Sequence, residues 1–112
     1  MNVKNETYEI LVGLCVTDDR KYNQYRAAMT PILQQYGGSF RYDFVVAEVL
    51  KSEAGEPINR LFIITFPDEQ AKEAFFADQR YVSVRAEFFE PAVGAVTSIA
   101  QYVRQAATEG SS

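Results

Sequence analysis

The sequence predicts an α+β domain in which two helices cover one face of a four-stranded antiparallel sheet. One long stretch repeats its apolar residues at helical spacing, and several shorter stretches are apolar and rich in β-branched residues. The two kinds of stretch follow each other in the order βαββαβ, which is the order of the ferredoxin-like fold. A chain of 112 residues fits one such domain, with a core expected over residues 8–104.

Composition narrows the classes of function. Of the residues 47% are hydrophobic, and seven tyrosines and eight phenylalanines predict a packed core. The net charge is −4 and no basic cluster occurs, which argues against nucleic acid as a partner. The N-terminus lacks the pattern of a signal peptide, the longest apolar run is too short to span a membrane, and a single cysteine excludes an internal disulfide. We therefore expect a cytoplasmic protein without membrane contact.

The first strand is predicted over Tyr8–Val16 and is apolar on both sides. The first helix follows, with Asp18 as its N-cap and Gly37-Gly38 at its end. Its buried side is marked by residues at steps of three and four: Tyr22, Tyr25, Met29, Ile32, Leu33 and Tyr36. Pro31 lies on the polar side, so it predicts a kink within one helix and not two helices.

The remaining elements are less regular. A long strand with a bulge or a bend is predicted over Ser39–Leu50, with Phe40, Tyr42, Phe44 and Val46 on one side, and a loop follows over Lys51–Asn59. Arg60–Phe66 is the third strand, and it is apolar on both sides. Asp68 and Asp78 are expected to cap a second helix and a further short one. Pro91 and Gly94 are expected to break the chain before a fourth strand at Val96–Val103, and residues 105–112 to form a disordered tail.

A single domain of this kind leaves one sheet face uncovered. The helices hide only one face, yet the first and third strands are apolar on both. An exposed apolar face of this size calls for a partner. Pairing of two such sheets face to face predicts a homodimer, a dimeric α/β barrel.

Several segments resemble a family of small bacterial proteins of the dimeric α/β-barrel superfamily, catalogued as a domain of unknown function. They are Val16-Thr17-Asp18, Tyr22-x-x-Tyr25, Pro31, Tyr36-Gly37-Gly38, Phe66-Pro67-Asp68, Ala71, Ala74 and Asp78-x-x-Tyr81 with Arg85. The resemblance covers roughly residues 8–90, and it implies the fold and dimerisation but no activity. Some members of the superfamily are cofactor-free monooxygenases, lactone isomerases, dehydratases or haem enzymes.

The absence of histidine removes many kinds of active site. Without it there is no Ser-His-Asp triad, no Cys-His pair, no histidine haem ligand and no histidine-bound zinc or iron. No phosphate-binding glycine loop occurs either, since Gly37-Gly38 follows a helix and does not begin one. We expect no cofactor and no transition metal, whereas an all-carboxylate metal site stays open.

The candidate ligand-binding residues are Tyr22, Tyr25, Tyr81 and Arg85. The tyrosines are expected to line a cavity between the sheet and the helices, or simply to form the core. Arg85 follows Tyr81 by one helical turn and shares its face with Phe88, so it is placed to bind a ligand carboxylate or to pair with a carboxylate of the fold.

Two further features are weaker. Arg41 and Asp43, two apart on one strand face, are placed either to bind a polar ligand or to form an ion pair across the barrel or the dimer interface. Cys15 is expected to be buried and unreactive.

Two functional classes remain. The first is a dimeric accessory protein that binds a small organic molecule or another protein. The second is a cofactor-independent enzyme, monooxygenase- or isomerase-like, acting on a small organic acid or aromatic compound through its arginine and tyrosine side chains.

Overall fold

A computed structural model of the chain describes residues 6–105. The elements are β1 (Glu6–Val16), α1 (Asp19–Gln35), β2 (Ser39–Val45), β3 (Arg60–Phe66), α2 (Glu69–Ala77), α3 (Gln79–Val84) and β4 (Val93–Gln105). A π-helical turn over Arg85–Phe89 and a 3₁₀ turn over Glu90–Ala92 join α3 to β4. The predicted tail lies outside the described residues, apart from Gln105, which belongs to β4.

The four strands form one antiparallel sheet in the order β2-β3-β1-β4. This order and the βαββαβ succession confirm the ferredoxin-like fold. The helices lie on the face that carries Leu14 of β1 and Phe62, Ile64 and Phe66 of β3, none of which is more than 6% exposed. The opposite face, which we call the open face, carries no helix.

The helix ends agree with the prediction from sequence. Asp18 Oδ1 accepts a hydrogen bond from the Lys21 amide at 3.0 Å, and Asp68 and Asp78 cap α2 and α3 in the same way. Gly37 has a φ of 76°, the left-handed conformation that is common just after the end of a helix. α1 is one helix that continues through the exposed Pro31, as expected.

Two strand predictions were wrong. β2 ends at Val45 instead of Leu50, because the chain leaves the sheet there to form the loop that leads to β3. β4 extends from Val93 to Gln105, so Gly94 lies inside the strand and does not break it. A bulge allows this, since the pairing with β1 shifts between Cys15 and Val16.

A second bulge changes the faces of β2. The pairing with β3 shifts between Phe40 and Tyr42, which leaves Arg41 as the extra residue. Phe40 therefore packs on the helix side, whereas Tyr42 and Phe44 lie on the open face. The prediction of one uniform side from Phe40 to Val46 was wrong for this reason.

The π-helical turn shifts the helical register after α3. Phe89 is 7% exposed and belongs to the core, whereas Phe88 is only partly buried. One extra residue in a helical turn rotates the next part of the chain by about 100°. Phe89, instead of the expected Phe88, is therefore the aromatic partner of Arg85.

Candidate functional site

Two of the predicted site residues form a buried hydroxyl pair between the sheet and the helices. Tyr25 of α1 and Tyr81 of α3 are 5% and 3% exposed, and their hydroxyl oxygens lie 2.8 Å apart. Burial raises the pKa of Tyr25 well above its ordinary value, and Tyr81 adds to the rise. Burial likewise raises the pKa of Tyr81. Both phenols are therefore neutral at physiological pH.

Tyr22 is fully buried one turn before Tyr25. Its hydroxyl accepts a hydrogen bond from Arg26 Nη1 at 3.1 Å, and its ring centre lies 5.7 Å from that of Tyr25. Burial raises the pKa of Tyr22 as well, against the opposing charge of Arg26. The three tyrosines thus pack as core residues whose hydroxyls find partners within the fold.

Arg85 has a partner from the protein. Its Nη1 lies 2.8 Å from Glu90 Oε2, and its guanidinium lies 5.0 Å from the centre of the Phe89 ring. Both ionic side chains are partly exposed, at 43% and 58%. The carboxylate that pairs with Arg85 is therefore Glu90 of the same chain. Binding of a ligand by Tyr22, Tyr25, Tyr81 and Arg85 stays a prediction.

Arg41 and Asp43 lie on opposite faces of the sheet. Asp43 Oδ2 lies 2.8 Å from Arg26 Nη2 on the helix side, where the Arg26 guanidinium stacks 3.6 Å from the Phe40 ring centre. Arg41, in the bulge, pairs with Glu9 on the open face. The expectation that these two residues share a face was wrong because of that bulge.

Glu9 is a fully buried carboxylate on the open face. Its Oε2 lies 2.8 Å from Arg41 Nε, and its Oε1 accepts a hydrogen bond from the Tyr102 hydroxyl at 2.8 Å. Burial and this bond raise the pKa of Tyr102. Opposite Glu9 on β3, Thr65 Oγ1 is buried without a hydrogen-bond partner in the described part of the chain. Glu9 was not singled out from the sequence, where the available signal was one carboxylate inside an apolar strand.

The rest of the open face is apolar and partly exposed. Leu11 lies at its centre, between Ile63 of β3 and Ala100 of β4. Towards the β2 edge, Tyr42 and Phe44 stack with ring centres 5.9 Å apart, and they are 47% and 50% exposed. Cys15 also lies on this face, where it is half-buried and not fully buried as expected.

A cleft of about 920 Å³ opens at one end of this face, between the sheet and the loop that joins β2 to β3. Its lining is mostly aliphatic, with hydroxyl groups from Ser52, Thr97 and Ser98 and charged groups from Lys51 and Glu53. The aliphatic lining residues are Val46, Val49, Leu50, Ala54, Ile58, Leu61 and Ile99. None of the four predicted site residues lines it.

The base of the loop is fixed to the sheet. A β-carbon at Gly13 would lie 2.9 Å from Ile58 Cδ1, so only glycine at this position of β1 allows Ile58 to pack so closely. The Asn59 side chain bonds both the amide and the carbonyl of Val16, at 2.8 and 2.9 Å. These contacts hold the floor of the cleft in place.

Residues 6–105 contain no group of acidic or cysteine side chains able to hold a metal ion. Within the same range, no helix is both long and apolar enough to cross a bilayer.

Comparison with known proteins agrees with this fold. Residues 7–107 match the family described as Domain of unknown function (DUF1330). The chain matches no curated protein. Among solved structures, it resembles a protein of unknown function from Rhodopseudomonas palustris, with a TM-score of 0.72 and 14% identity over 96% of this chain and 87% of that chain.

Two other structures share the fold at lower similarity. One is a dimeric ferredoxin-like protein of unknown function from Thermobifida fusca, with a TM-score of 0.59 and 9% identity over 93% of this chain and 96% of that chain. The other is SnoaB, a cofactor-independent oxygenase from Streptomyces nogalater, with a TM-score of 0.54 and 12% identity over 94% of this chain and 96% of that chain. At these identities the likeness concerns the fold.

Proposed function

This chain belongs to the DUF1330 family, and we propose that it acts as a homodimer that binds a small, largely apolar organic molecule. The observation that carries the proposal is the cleft of about 920 Å³, which lies on the open face beside exposed aromatic rings. In the proposed dimer, the partner covers the exposed apolar face, and the bound molecule fills the cleft, which a flat partner surface leaves empty.

The dimer is supported by the apolar surface of the open face. Leu11 and Ile63 lie at its centre and Phe44 towards one edge, and the helices protect none of them. Two copies of this face pair through a two-fold axis, burying on the order of 1,200–2,000 Å² in total. The similar Thermobifida fusca structure is described as dimeric, which is consistent with this arrangement.

The buried carboxylate fits the same arrangement. Arg41 and Tyr102 satisfy Glu9 within one protomer. A partner can therefore cover Glu9 without leaving a buried unpaired charge, which costs several kcal/mol.

The cleft has the composition of a small-molecule site. Its walls are mostly aliphatic with a minority of polar groups, which is the usual make-up of a pocket for an organic ligand. We propose that the partner sheet closes the side of the cleft opposite the loop. Lys51 and Glu53 lie at the loop side, where they are placed to contact a polar end of the ligand.

Binding is favoured over catalysis by distance. The acid–base pair Glu9 and Tyr102 of the open face lies four residues along β1 from Gly13, and five along the bulged β4 from Thr97, at the cleft. That separation is about 13 Å, so a small molecule held in the cleft does not reach them. The enzymatic alternative, supported by the fold shared with SnoaB, therefore requires either a ligand that extends along the open face or acid–base catalysis by Lys51 and Glu53 at the cleft.

Native mass spectrometry of the purified protein tests the proposal. We expect a dimer that carries a bound organic molecule, released on denaturation. Ile99→Asp places a charge in the cleft and should abolish this binding while the fold persists, since Ile99 is 47% exposed in the protomer. Val82→Asp, at a similarly exposed position on α3, is the matched control and should retain the ligand.

A ligand retained equally by both variants would place binding elsewhere. In that case Tyr25→Phe and Arg85→Ala test whether the predicted residues between the sheet and the helices bind it. A purified protein free of any ligand, which also fails to bind apolar probes such as anilinonaphthalene sulfonate in the cleft, would contradict the proposal.

A further inference from the structure

A second, smaller cleft of about 340 Å³ lies on the helix side of the sheet. It is bounded by the first turns of α1 and by the ends of β2 and β3. Its lining residues are Asp19, Asn23, Val45, Asn59 and Arg60. Neither the prediction from sequence nor the proposed ligand cleft includes this place.

Arg60 is the unusual residue of this cleft. Its guanidinium stacks 4.7 Å from the centre of the buried Tyr22 ring, which fixes it against the core. Its Nε is shielded from solvent and has no hydrogen-bond partner in the described part of the chain. Within residues 6–105 it forms no ion pair, whereas Arg26, Arg41, Arg80 and Arg85 each have a carboxylate. A guanidinium held in this way lacks an anion.

The opposite charge of the cleft is Asp19. Its side chain is exposed and makes no ion pair with Arg60 or with any other described residue. Two opposite charges thus line one small cleft without touching. Between them, the exposed Asn23 offers both a donor and an acceptor, and Val45, which is 78% exposed, offers an apolar wall.

We propose that this cleft binds a small zwitterion of the amino-acid type. The ligand carboxylate pairs with the terminal Nη atoms of the Arg60 guanidinium, because Nε is shielded from solvent. The ligand ammonium pairs with Asp19, and its side chain packs on Val45. Asn59 forms a fixed wall, because both ends of its amide are already bonded to Val16.

The charges of the lining favour this class over the simpler ones. A phosphate or a dicarboxylate meets one guanidinium and is repelled by Asp19. A free amine meets Asp19 and is repelled by Arg60. A ligand that carries both charges satisfies both groups and leaves neither unpaired.

The test is calorimetry of the full-length chain with L-leucine and two analogues that each lack one charge, 4-methylpentanoate and 3-methylbutylamine. We expect L-leucine to bind, and each analogue to bind at least about tenfold more weakly, since one charge-assisted hydrogen bond contributes roughly 1.5–3 kcal/mol. Arg60→Gln and Asp19→Asn should each weaken L-leucine binding by a similar factor. Arg20→Gln, next to Asp19 but outside the cleft, is the control and should bind as the wild type does.

Several results would overturn the proposal. One is that neither L-leucine nor any of the other nineteen amino acids binds at millimolar concentration. The others are that the analogue without an amino group binds as tightly as L-leucine does, and that Arg60→Gln binds L-leucine as the wild type does. Arg60→Lys keeps the positive charge over Tyr22 and serves as the control for misfolding. If Arg60→Lys is folded and binds L-leucine while Arg60→Gln is unfolded, the binding measured with Asp19→Asn decides whether the proposal holds. The open-face variant Ile99→Asp should bind L-leucine normally, which separates this site from the proposed ligand cleft.

Discussion

The helices cover one face of the sheet, whereas the open face carries no helix. On the helix side, Phe66 and Phe75 are at most 1% exposed and pack with ring centres 5.9 Å apart. On the open face, the Tyr42 and Phe44 rings stack at the same distance, yet each is about half exposed. Aromatic contacts of the same length therefore lie in the core on one side, where the rings are tilted, and at the surface on the other, where they are stacked.

The polar groups of the two faces also differ. The hydroxyls between the sheet and the helices pair with each other or with nearby side chains, as Tyr25 does with Tyr81. On the open face a fully buried carboxylate, Glu9, is satisfied by Arg41 and Tyr102 before any partner arrives. The buried charge of the open face is thus satisfied within one chain, as the proposed dimer requires, and no helix of residues 6–105 covers this face.

The largest expected effect is a difference between the two faces in how much the loss of one aromatic ring lowers the free energy of unfolding. Phe75→Ala should lower the free energy of unfolding by about 3–5 kcal/mol, because it leaves a cavity among the rings of Phe66, Phe76 and Tyr81. Phe44→Ala removes the same ring from the open face. Its effect should be smaller while the protomer is free, and it should grow as protein concentration rises into the range in which the wild type dimerises, because association then stabilises the folded wild type more than the variant. Urea unfolding at two protein concentrations measures both, and equal, concentration-independent losses would mean that the open face is not an interface.

The buried phenols give a smaller effect, which depends on pH. A tyrosine whose pKa is raised in the folded state contributes stability that is present below pH 10 and is lost as pH rises through the folded pKa. Tyr25→Phe removes one such group. Above pH 10 its stability should therefore fall less steeply than that of the wild type, by up to about 1.4 kcal/mol per pH unit.

Alkaline denaturant titrations of the wild type and of Tyr25→Phe measure this difference. A steeper fall for Tyr25→Phe would show that its hydroxyl is ionised within the fold.

The end of α1 gives the smallest of these effects. Gly37→Val should destabilise the protein by about 1 kcal/mol or more, because φ is 76° and a β-carbon would lie 2.7 Å from Pro67 Cγ. Pro31→Ala, on the exposed side of the same helix, should be neutral or stabilising, since it restores a helical amide. Thermal unfolding compares the two, and a stable Gly37→Val would mean that this turn accommodates a side chain.

Much of the fold is readable from the sequence because its signals are local. Asp18, Asp68 and Asp78 act on amides two or three residues away, and Gly37 ends its helix by its own backbone conformation. The bulge at Arg41 is different, because strand register depends on the partner strand β3, which lies beyond a loop. The π-helical turn at Arg85–Phe89 likewise interrupts a pattern that otherwise continues as an ordinary helix.

The sites were harder to predict for the same reason. Tyr102 and Glu9 are hydrogen-bonded but 93 residues apart, and only the sheet order brings them together. Arg60 was recognised merely as the start of a strand, since its missing partner shows only when the surrounding side chains are placed. Tyr25 and Tyr81 were predicted to belong to one site, because each lies on the predicted buried side of its own helix. The short contact between their hydroxyl groups was not predicted.

Light scattering combined with size exclusion tests the central claim, that the open face is the surface of association. The wild type should have twice the mass of one chain at micromolar concentration, and Leu11→Arg, at the centre of the open face, should be a monomer or should aggregate. Val45→Arg should remain a dimer, because the bulge at Arg41 places Val45 on the helix side, in the cleft with Asp19. A monomeric wild type, or a Leu11→Arg variant that stays dimeric, would contradict the account.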